Sequence, residues 1–180
     1  MNHFQCERVF FRELTQKDWI DVHKYASQEM VCQFQPWGPN TQDESLAYVN
    51  KIIEDTNQLP RSRYAFAIIL KENERMIGVG EINIRDRNNR IGEITYIINP
   101  DHWGNGYATE VAEMLINFGF CELKFHRLFA TCDPRNIGSS RVLEKVGMTK
   151  EGRIREGLWI KDGWRDSLLF SILEQEWEQN

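Results

Sequence analysis

The strongest chemical signal in the sequence is the stretch Trp103-Gly104-Asn105-Gly106-Tyr107-Ala108-Thr109. Gly104 and Gly106 have no Cβ, so the backbone there can turn sharply and approach a ligand closely. Ala108, Val111, Ala112, Leu115 and Phe118 follow at helical spacing, with Glu110 in the first turn complementing the helix dipole. The turn therefore opens a helix, and free N–H groups at such a junction converge on an anion, typically a phosphate. Before it lies Ile94–Ile98, a β-branched run that reads as a buried strand, stopped by Asn99-Pro100-Asp101.

Three kinds of phosphate loop can be compared with this stretch. A Walker loop needs Gly-Lys-Ser/Thr at the helix start, where this chain has Gly-Tyr-Ala-Thr. A dinucleotide fingerprint needs a third glycine where Thr109 stands, although Asp133 is placed roughly where a ribose-binding acid would sit. The third kind is the pyrophosphate loop of acetyl-CoA-dependent N-acetyltransferases, the GNAT superfamily, with the pattern Gln/Arg-x-x-Gly-x-Gly/Ala. Residues 103–108 resemble it: Gly106 and Ala108 fit, and Trp103 replaces the leading Gln/Arg. The longer string WGNGYATE resembles the Rim-type branch, whose best-known members acetylate N-termini of ribosomal proteins. Asn136, Ser139, Arg141, Glu144, Lys145 and Gly147 resemble that branch's N-x-x-S-x-R-x-x-E-K-x-G-F segment, with Met148 in place of Phe.

The resemblance implies attack of an amine on the thioester of acetyl-CoA, with direct transfer of the acetyl group. An alkylammonium ion has no lone pair, so a group must take its proton. The oxyanion needs a donor, and the departing thiolate gains from a nearby acid. Glu93 resembles the strand glutamate that serves as base in histone-type members. Strand alternation puts it on one face with Thr95 and Ile97. The alternative is an ordinary glutamate paired with Arg85 or Arg127; Glu81 and Glu156 stand in reserve, and a water relay without a single base is also open. The family's usual acid is a tyrosine one residue before the Glu-Lys pair, and Leu143 occupies that position. Ser139 is the candidate donor to the CoA sulfur, or else a helix cap. By the same resemblance Asn136 bonds the pantetheine amides, the backbone of Tyr96, Ile97 and Ile98 pairs with that arm like an added strand, and the Ile98 N–H faces the oxyanion. Trp103, Gly104, Asn105, Gly106, Tyr107, Ala108 and Thr109 would hold the pyrophosphate. Arg135, Arg141 and Lys145 would face CoA phosphates or be solvated surface charges.

The elements that position these residues can be read in order. Val9–Leu14 is a first strand; a helix beginning at Thr15 carries Trp19, Val22, His23 and Ala26 on one face, which makes His23 a core or boundary residue. Phe34–Pro39 is a loop in which Trp37 is either a substrate contact or a packing plug. Thr41 and Glu44 form a capping box for a second helix. Residues 64–70, 76–85 and 91–98 make an antiparallel meander, with Gly78 and Gly80 marking a bulge. This meander tilts against a dinucleotide fold. A helix and a fifth strand, Arg127–Cys132, follow as a crossover, then a short helix capped by Gly147, two strands joined at Asp162-Gly163, and a helical end over 174–178. The expectation is a single domain over 1–180 with the α/β GNAT fold: a splayed mixed antiparallel and parallel sheet of about seven strands, with about four helices.

Composition sets outer bounds. The 180 residues carry a formal net charge of −5 without a long basic run, which disfavours nucleic acid and suits a cationic acceptor. Cys6, Cys32, Cys121 and Cys132, like His3, His23, His102 and His126, show no metal-ligand spacing. No apolar run is long enough to span a membrane and the N-terminal residues show no signal-peptide pattern, so reduced thiols in a cytoplasmic protein are expected. Partners are thus expected to be CoA or acetyl-CoA and an amine acceptor, either a peptide N-terminus or a small amine (polyamine, amino acid or aminoglycoside). No metal is expected, and a homodimer is left open. An acyl-CoA-binding sensor without catalysis, and an NAD-binding module, remain the rival classes.

Overall fold

The elements run β1 (Val9–Glu13), α1 (Trp19–Ala26), α2 (Glu29–Cys32), α3 (Gln42–Thr56), β2 (Arg63–Leu70), β3 (Met76–Asp86), β4 (Ile91–Ile98), α4 (Tyr107–Cys121), β5 (Arg127–Cys132), α5 (Ile137–Lys145), β6 (Thr149–Ile160), β7 (Gly163–Leu173) and α6 (Glu174–Trp177). This computed structural model describes residues 6–161 and 163–177. His3, Asp162 of the expected hairpin turn and Glu178 of the expected helical end lie outside the described residues. The strands form one sheet in the order β1-β2-β3-β4-β5-β7-β6. All neighbours are antiparallel except β4 and β5, which are parallel. The dinucleotide alternative fails here, because a doubly wound fold does not begin with an antiparallel meander.

Two apolar layers cover the sheet. Ile82, Ile94, Ile98, Leu128 and Phe170 face α4 and α5, and Ala65, Ala67, Ile69 and Val79 face α1 and α3. Leu115 and Ile116 of α4 are completely buried, each contributing about 1.5–3 kcal/mol. Trp37 and His23 are placed structurally: Trp37 packs against the α1–α3 layer, and His23 Nδ1 lies 3.1 Å from Ser45 Oγ. The capping box forms, Thr41 N donating to Glu44 at 2.7 Å and Glu44 N to Thr41 Oγ1 at 3.3 Å. α5 ends in a Schellman turn with Gly147 at φ 85°, Gly147 N donating to Glu144 O and Met148 N to Leu143 O. Among the described residues six helices stand where about four were expected: α6 is the expected helical end, and α2 is an unexpected single turn of four residues. The expected bulge lies beside Gly78: β3 pairs with β2 through Gly78 opposite Ile68 and then Met76 opposite Ile69.

The parallel pairing of β4 and β5 sets the geometry of the site. It covers Ile91 with Arg127, Gly92 with Leu128 and Glu93 with Phe129, and then stops. The closed end is drawn tight because glycine stands where α4 and β4 meet Leu128 and Phe125. A Cβ on Gly119 would lie 2.7 Å from the Leu128 side chain, and one on Gly92 2.8 Å from the Phe125 ring. Beyond Glu93 the strands part and leave a gap.

An ion pair fixes the start of α1. Arg12 Nη1 and Nη2 each donate to Asp18 at 2.7 Å, and the Thr15 N–H donates at 2.6 Å. Burial pushes the Asp18 carboxyl up, but the Arg12 and Thr15 hydrogen bonds outweigh it and hold it below its unfolded value of 3.8. Its contribution is therefore complete above that value and lost as pH falls through the lower native one. Asp18→Asn should cost about 2 kcal/mol in urea unfolding at neutral pH. The difference between wild type and variant should shrink below pH 3.8; a constant difference at all pH values would refute the assignment.

Candidate active site

β4 presents its backbone to the gap in a definite way. Asn99 N donates to Ile77 O at 2.8 Å, and Ile97 lies opposite Val79 in the β3 ladder. Antiparallel alternation then turns the peptide groups of Thr95 and Ile97 toward β3, and those of Tyr96 and Ile98 toward the gap. Ile97 is thus not brought to the gap by its backbone, and its side chain packs against the α1–α3 layer. The Ile98 carbonyl is taken by the Trp103 indole, whose Nε1 donates to it at 2.7 Å. The Ile98 N–H and both Tyr96 backbone groups are left facing the space where no strand follows.

At the open end lies the glycine turn. Gly104 and Gly106 have φ of 77° and 83°, in the left-handed region where glycine is unstrained. Gly106 is the N-cap of α4 and its carbonyl accepts from Thr109 at 3.0 Å. Among the described residues, the backbone N–H groups of Gly104, Asn105, Gly106, Tyr107 and Ala108 make no backbone hydrogen bond. Donors at a helix N-terminus, with two residues in the left-handed conformation, form an anion cradle. Thr109 is buried at its edge.

Arg8, which no local pattern singles out, secures this turn from the residue just before β1. Its Nη1 donates to Asn105 O at 2.9 Å, its Nε to Glu110 Oε1 at 2.5 Å, and its guanidinium lies 4.6 Å from the centre of the Tyr107 ring. A contact spanning 97 residues has no signature in sequence spacing.

Across the gap, α5 contributes Asn136 and Ser139. Asn136 caps the helix, its Oδ1 accepting from Ser139 N at 3.1 Å, which leaves its side-chain NH2 group as a donor. Ser139 Oγ lies 3.5 Å from Tyr96 Oη. Leu143, at the position of the family's tyrosine, is buried in the core. Asp133 is engaged by Arg135 through Nε at 2.9 Å and Nη2 at 2.7 Å, and this hydrogen bonding holds its carboxyl below the usual range. Arg135 is thereby committed and packs over the Phe34 ring, while Arg141 and Lys145 are exposed on α5.

The other face of the gap carries Glu93, Thr95 and Glu81. Thr95 is exposed although it lies in a central strand, so no helix covers the sheet there. Glu81, opposite Thr95, accepts from Tyr48 Oη at 2.5 Å and from Arg63 at 2.7 and 3.0 Å. Glu93 is buried where the strands part and pairs with Arg85, one of the two partners expected; Arg127 pairs with Glu151 instead. Both Arg85 hydrogen bonds fall on Glu93 Oε2. Among the described residues, Oε1 is the carboxylate oxygen of Glu81, Glu93 and Asp133 left without a partner. Glu156 is exposed on β6, away from this set.

Residues 8–149 match the acetyltransferase (GNAT) domain. This chain belongs to the GNAT family. It is 34% identical over 175 residues to an uncharacterized N-acetyltransferase, YnaD, of Bacillus subtilis, covering 97% of this chain and 99% of that one. Its fold superposes with a TM-score of 0.85 on a GNAT-family acetyltransferase from Bacillus anthracis, 32% identical, over 97% of this chain and 99% of that one. A spermidine N-acetyltransferase from Vibrio cholerae, solved with CoA and spermine, shares the fold at a TM-score of 0.82 with 21% identity, over 96% and 99%. The chain is an N-acetyltransferase, and the gap between β4 and β5 fits the family's cosubstrate: an unpaired strand edge for an amide-bearing arm, ending at an anion cradle.

Gly106→Val tests the cradle. At φ 83° a branched residue is strained, and its Cβ would stand 3.2 Å from Arg8 Nη2, the group that holds the turn. The folded variant should bind CoA at least about tenfold more weakly by calorimetry. Unchanged affinity would remove these amides from the binding site.

Proposed function

We propose that this enzyme transfers the acetyl group of acetyl-CoA directly to the α-amine of a protein N-terminus, of the ribosomal-protein type, in the cytoplasm. The observation that carries this reading is the engagement of the carboxylates around the gap by Arg63, Arg85 and Arg135. A polyamine carries several positive charges and calls for uncompensated carboxylates, which such a site does not offer. The amine's own acidity points the same way. An α-amine, with a pKa near 8, is about one-tenth neutral at pH 7, whereas a lysine-like amine near 10.4 is neutral to only about 0.04%. A site whose acids are already engaged suits the acceptor that needs least help losing its proton.

In this reading Glu93 takes that proton through a water at Oε1, with Arg85 holding the opposite oxygen. The Ile98 N–H faces the oxyanion, and the Trp103 indole fixes the Ile98 peptide by holding its carbonyl. The exposed face at Thr95 admits the acceptor from the side opposite the cofactor turn. The Rim-like strings at 103–110 and 136–148 support a protein acceptor. The spermidine enzyme sharing the fold supports a small amine as the second reading.

The deciding measurement is thiol release from acetyl-CoA with a panel of acceptors: peptides with free and blocked N-termini, lysine side chains and spermidine. Turnover is expected with free α-amines and lost on blocking them; turnover with spermidine alone would replace this reading. Acetyl-CoA binding without turnover of any amine would make the protein a sensor. Glu93→Gln should lower kcat by about a hundredfold with the KM for acetyl-CoA unchanged. In the wild type, kcat/KM should rise with pH until the α-amine is deprotonated near pH 8 and then level off.

A further inference from the structure

The departing thiolate lacks the tyrosine that the family supplies from the late helix, because Leu143 there is 1% exposed and packed in the core. Two hydroxyls from opposite lips of the gap stand in its place: Tyr96 Oη from β4 and Ser139 Oγ from the first turn of α5, 3.5 Å apart. That spacing is at the long limit for a bond between two hydroxyls. Their mutual bond is weak and Ser139 also bonds the Cys132 thiol, and both hydroxyls are placed to converge on a third atom. The residues come from opposite sides of the opening where β4 and β5 separate, the path assigned above to the pantetheine arm.

The state of these groups suits donation. Burial pushes the Tyr96 phenol up to about 12, against an opposing pull from its hydrogen bond with Ser139. It therefore keeps its proton at neutral pH and acts toward an anion as a donor. The titratable neighbour is Cys132, at the end of β5. Burial pushes its thiol up as well, with the Ser139 hydrogen bond pulling down, and with Asp133, Lys150 and Glu144 acting on it electrostatically. A thiol that stays protonated does not compete as an anion for the two hydroxyls.

We propose that Tyr96 and Ser139 form a two-hydroxyl cradle that donates both hydrogen bonds to the CoA sulfur as the thioester breaks. This rests on acetyl-CoA occupying the β4–β5 gap. In the step, the amine lone pair forms the N–C bond to the acetyl carbon, and the C–S bond breaks with its electron pair staying on sulfur. The nitrogen's surplus proton leaves to water, and the thiolate later takes a proton from water. Tyr96 and Ser139 keep their own protons and stabilise the negative charge while it exists, as donors do in an oxyanion hole.

The test needs no acceptor. The thiol of bound CoA is titrated by its thiolate absorbance in wild type, Tyr96→Phe and Ser139→Ala, with desulfo-CoA as the control ligand. The wild-type complex should hold the thiol about one pH unit below its free value, a tenfold preference for the thiolate. Each substitution should move it back toward the free value, while affinity for desulfo-CoA stays within about twofold. An unchanged thiol pKa in both variants, with both ligands still bound, overturns the cradle and leaves the gap assignment intact. Failure of the wild type to bind either ligand overturns the gap assignment and the cradle together. Tyr96→Phe retains the ring, so loss of the effect cannot be attributed to lost packing.

Discussion

A parallel pair of strands that stops after three residue pairs leaves backbone polar groups without partners, and this constraint organises the molecule. Buried N–H and C=O groups must be hydrogen-bonded or pay a desolvation cost comparable to a lost bond. Trp103 satisfies one such group, the Ile98 carbonyl, and the others on Tyr96 and Ile98 face the gap. In the reading proposed above, an amide-bearing ligand would supply the missing ladder in the manner of an added strand. The packing keeps the gap from collapsing. Gly92 and Gly119 admit Leu128 and Phe125 closely at one end, while Tyr96 of β4 meets Ser139 of α5 at the other.

Arginine is the second organising element. Arg8, Arg63, Arg85 and Arg135 each engage a carboxylate, those of Glu110 on α4, Glu81 on β3, Glu93 on β4 and Asp133 after β5. The pairs fix local geometry through directional hydrogen bonds, a role for which the planar guanidinium is suited. They also leave the site with little uncompensated negative charge despite the chain's overall acidity. Net charge alone suggested a cationic acceptor; the ion-pair map shifts the emphasis to an amine that is already partly neutral near pH 7.

Much of this was legible in the sequence where the information was local. The β-branched run 94–98, the glycine turn and the amphipathic helix after it are each set by residues within one element, and so are the Thr41–Glu44 capping box and the Gly147 stop. The meander and the parallel crossover to β5 followed from connection lengths, whereas the place of β7 between β5 and β6 was not read. What escaped was long-range or depended on side-chain direction. Arg8 meets its turn across 97 residues. The choice of Arg85 over Arg127 as the partner of Glu93 depends on strand register, since Arg127 is drawn to Glu151 by the β5–β7–β6 pairing. Tyr96 was read for its backbone, and its hydroxyl gained meaning only once α5 was placed opposite. The single-turn helix α2 was missed because four residues carry too little periodicity to stand out.

The two departures from the family pattern, Trp103 and Leu143, can be understood together. A Gln or Arg at the head of the turn would bring a flexible polar side chain; Trp103 brings a rigid donor that reaches back to the strand carrying the oxyanion-facing peptide. Leu143 gives up a hydroxyl from the middle of α5, and its burial instead fills the core beneath that helix. With that hydroxyl lost, Ser139 is left on α5, and a second donor must come from a neighbouring element. β4 is the neighbour whose even-numbered side chains point to the α5 face, as Ile94 and Ile98 do in packing there. Tyr96 lies between them in that alternation, long enough for its hydroxyl to span the opening. The strand proposed to bind the cofactor arm through its backbone would therefore also serve the leaving group through one side chain.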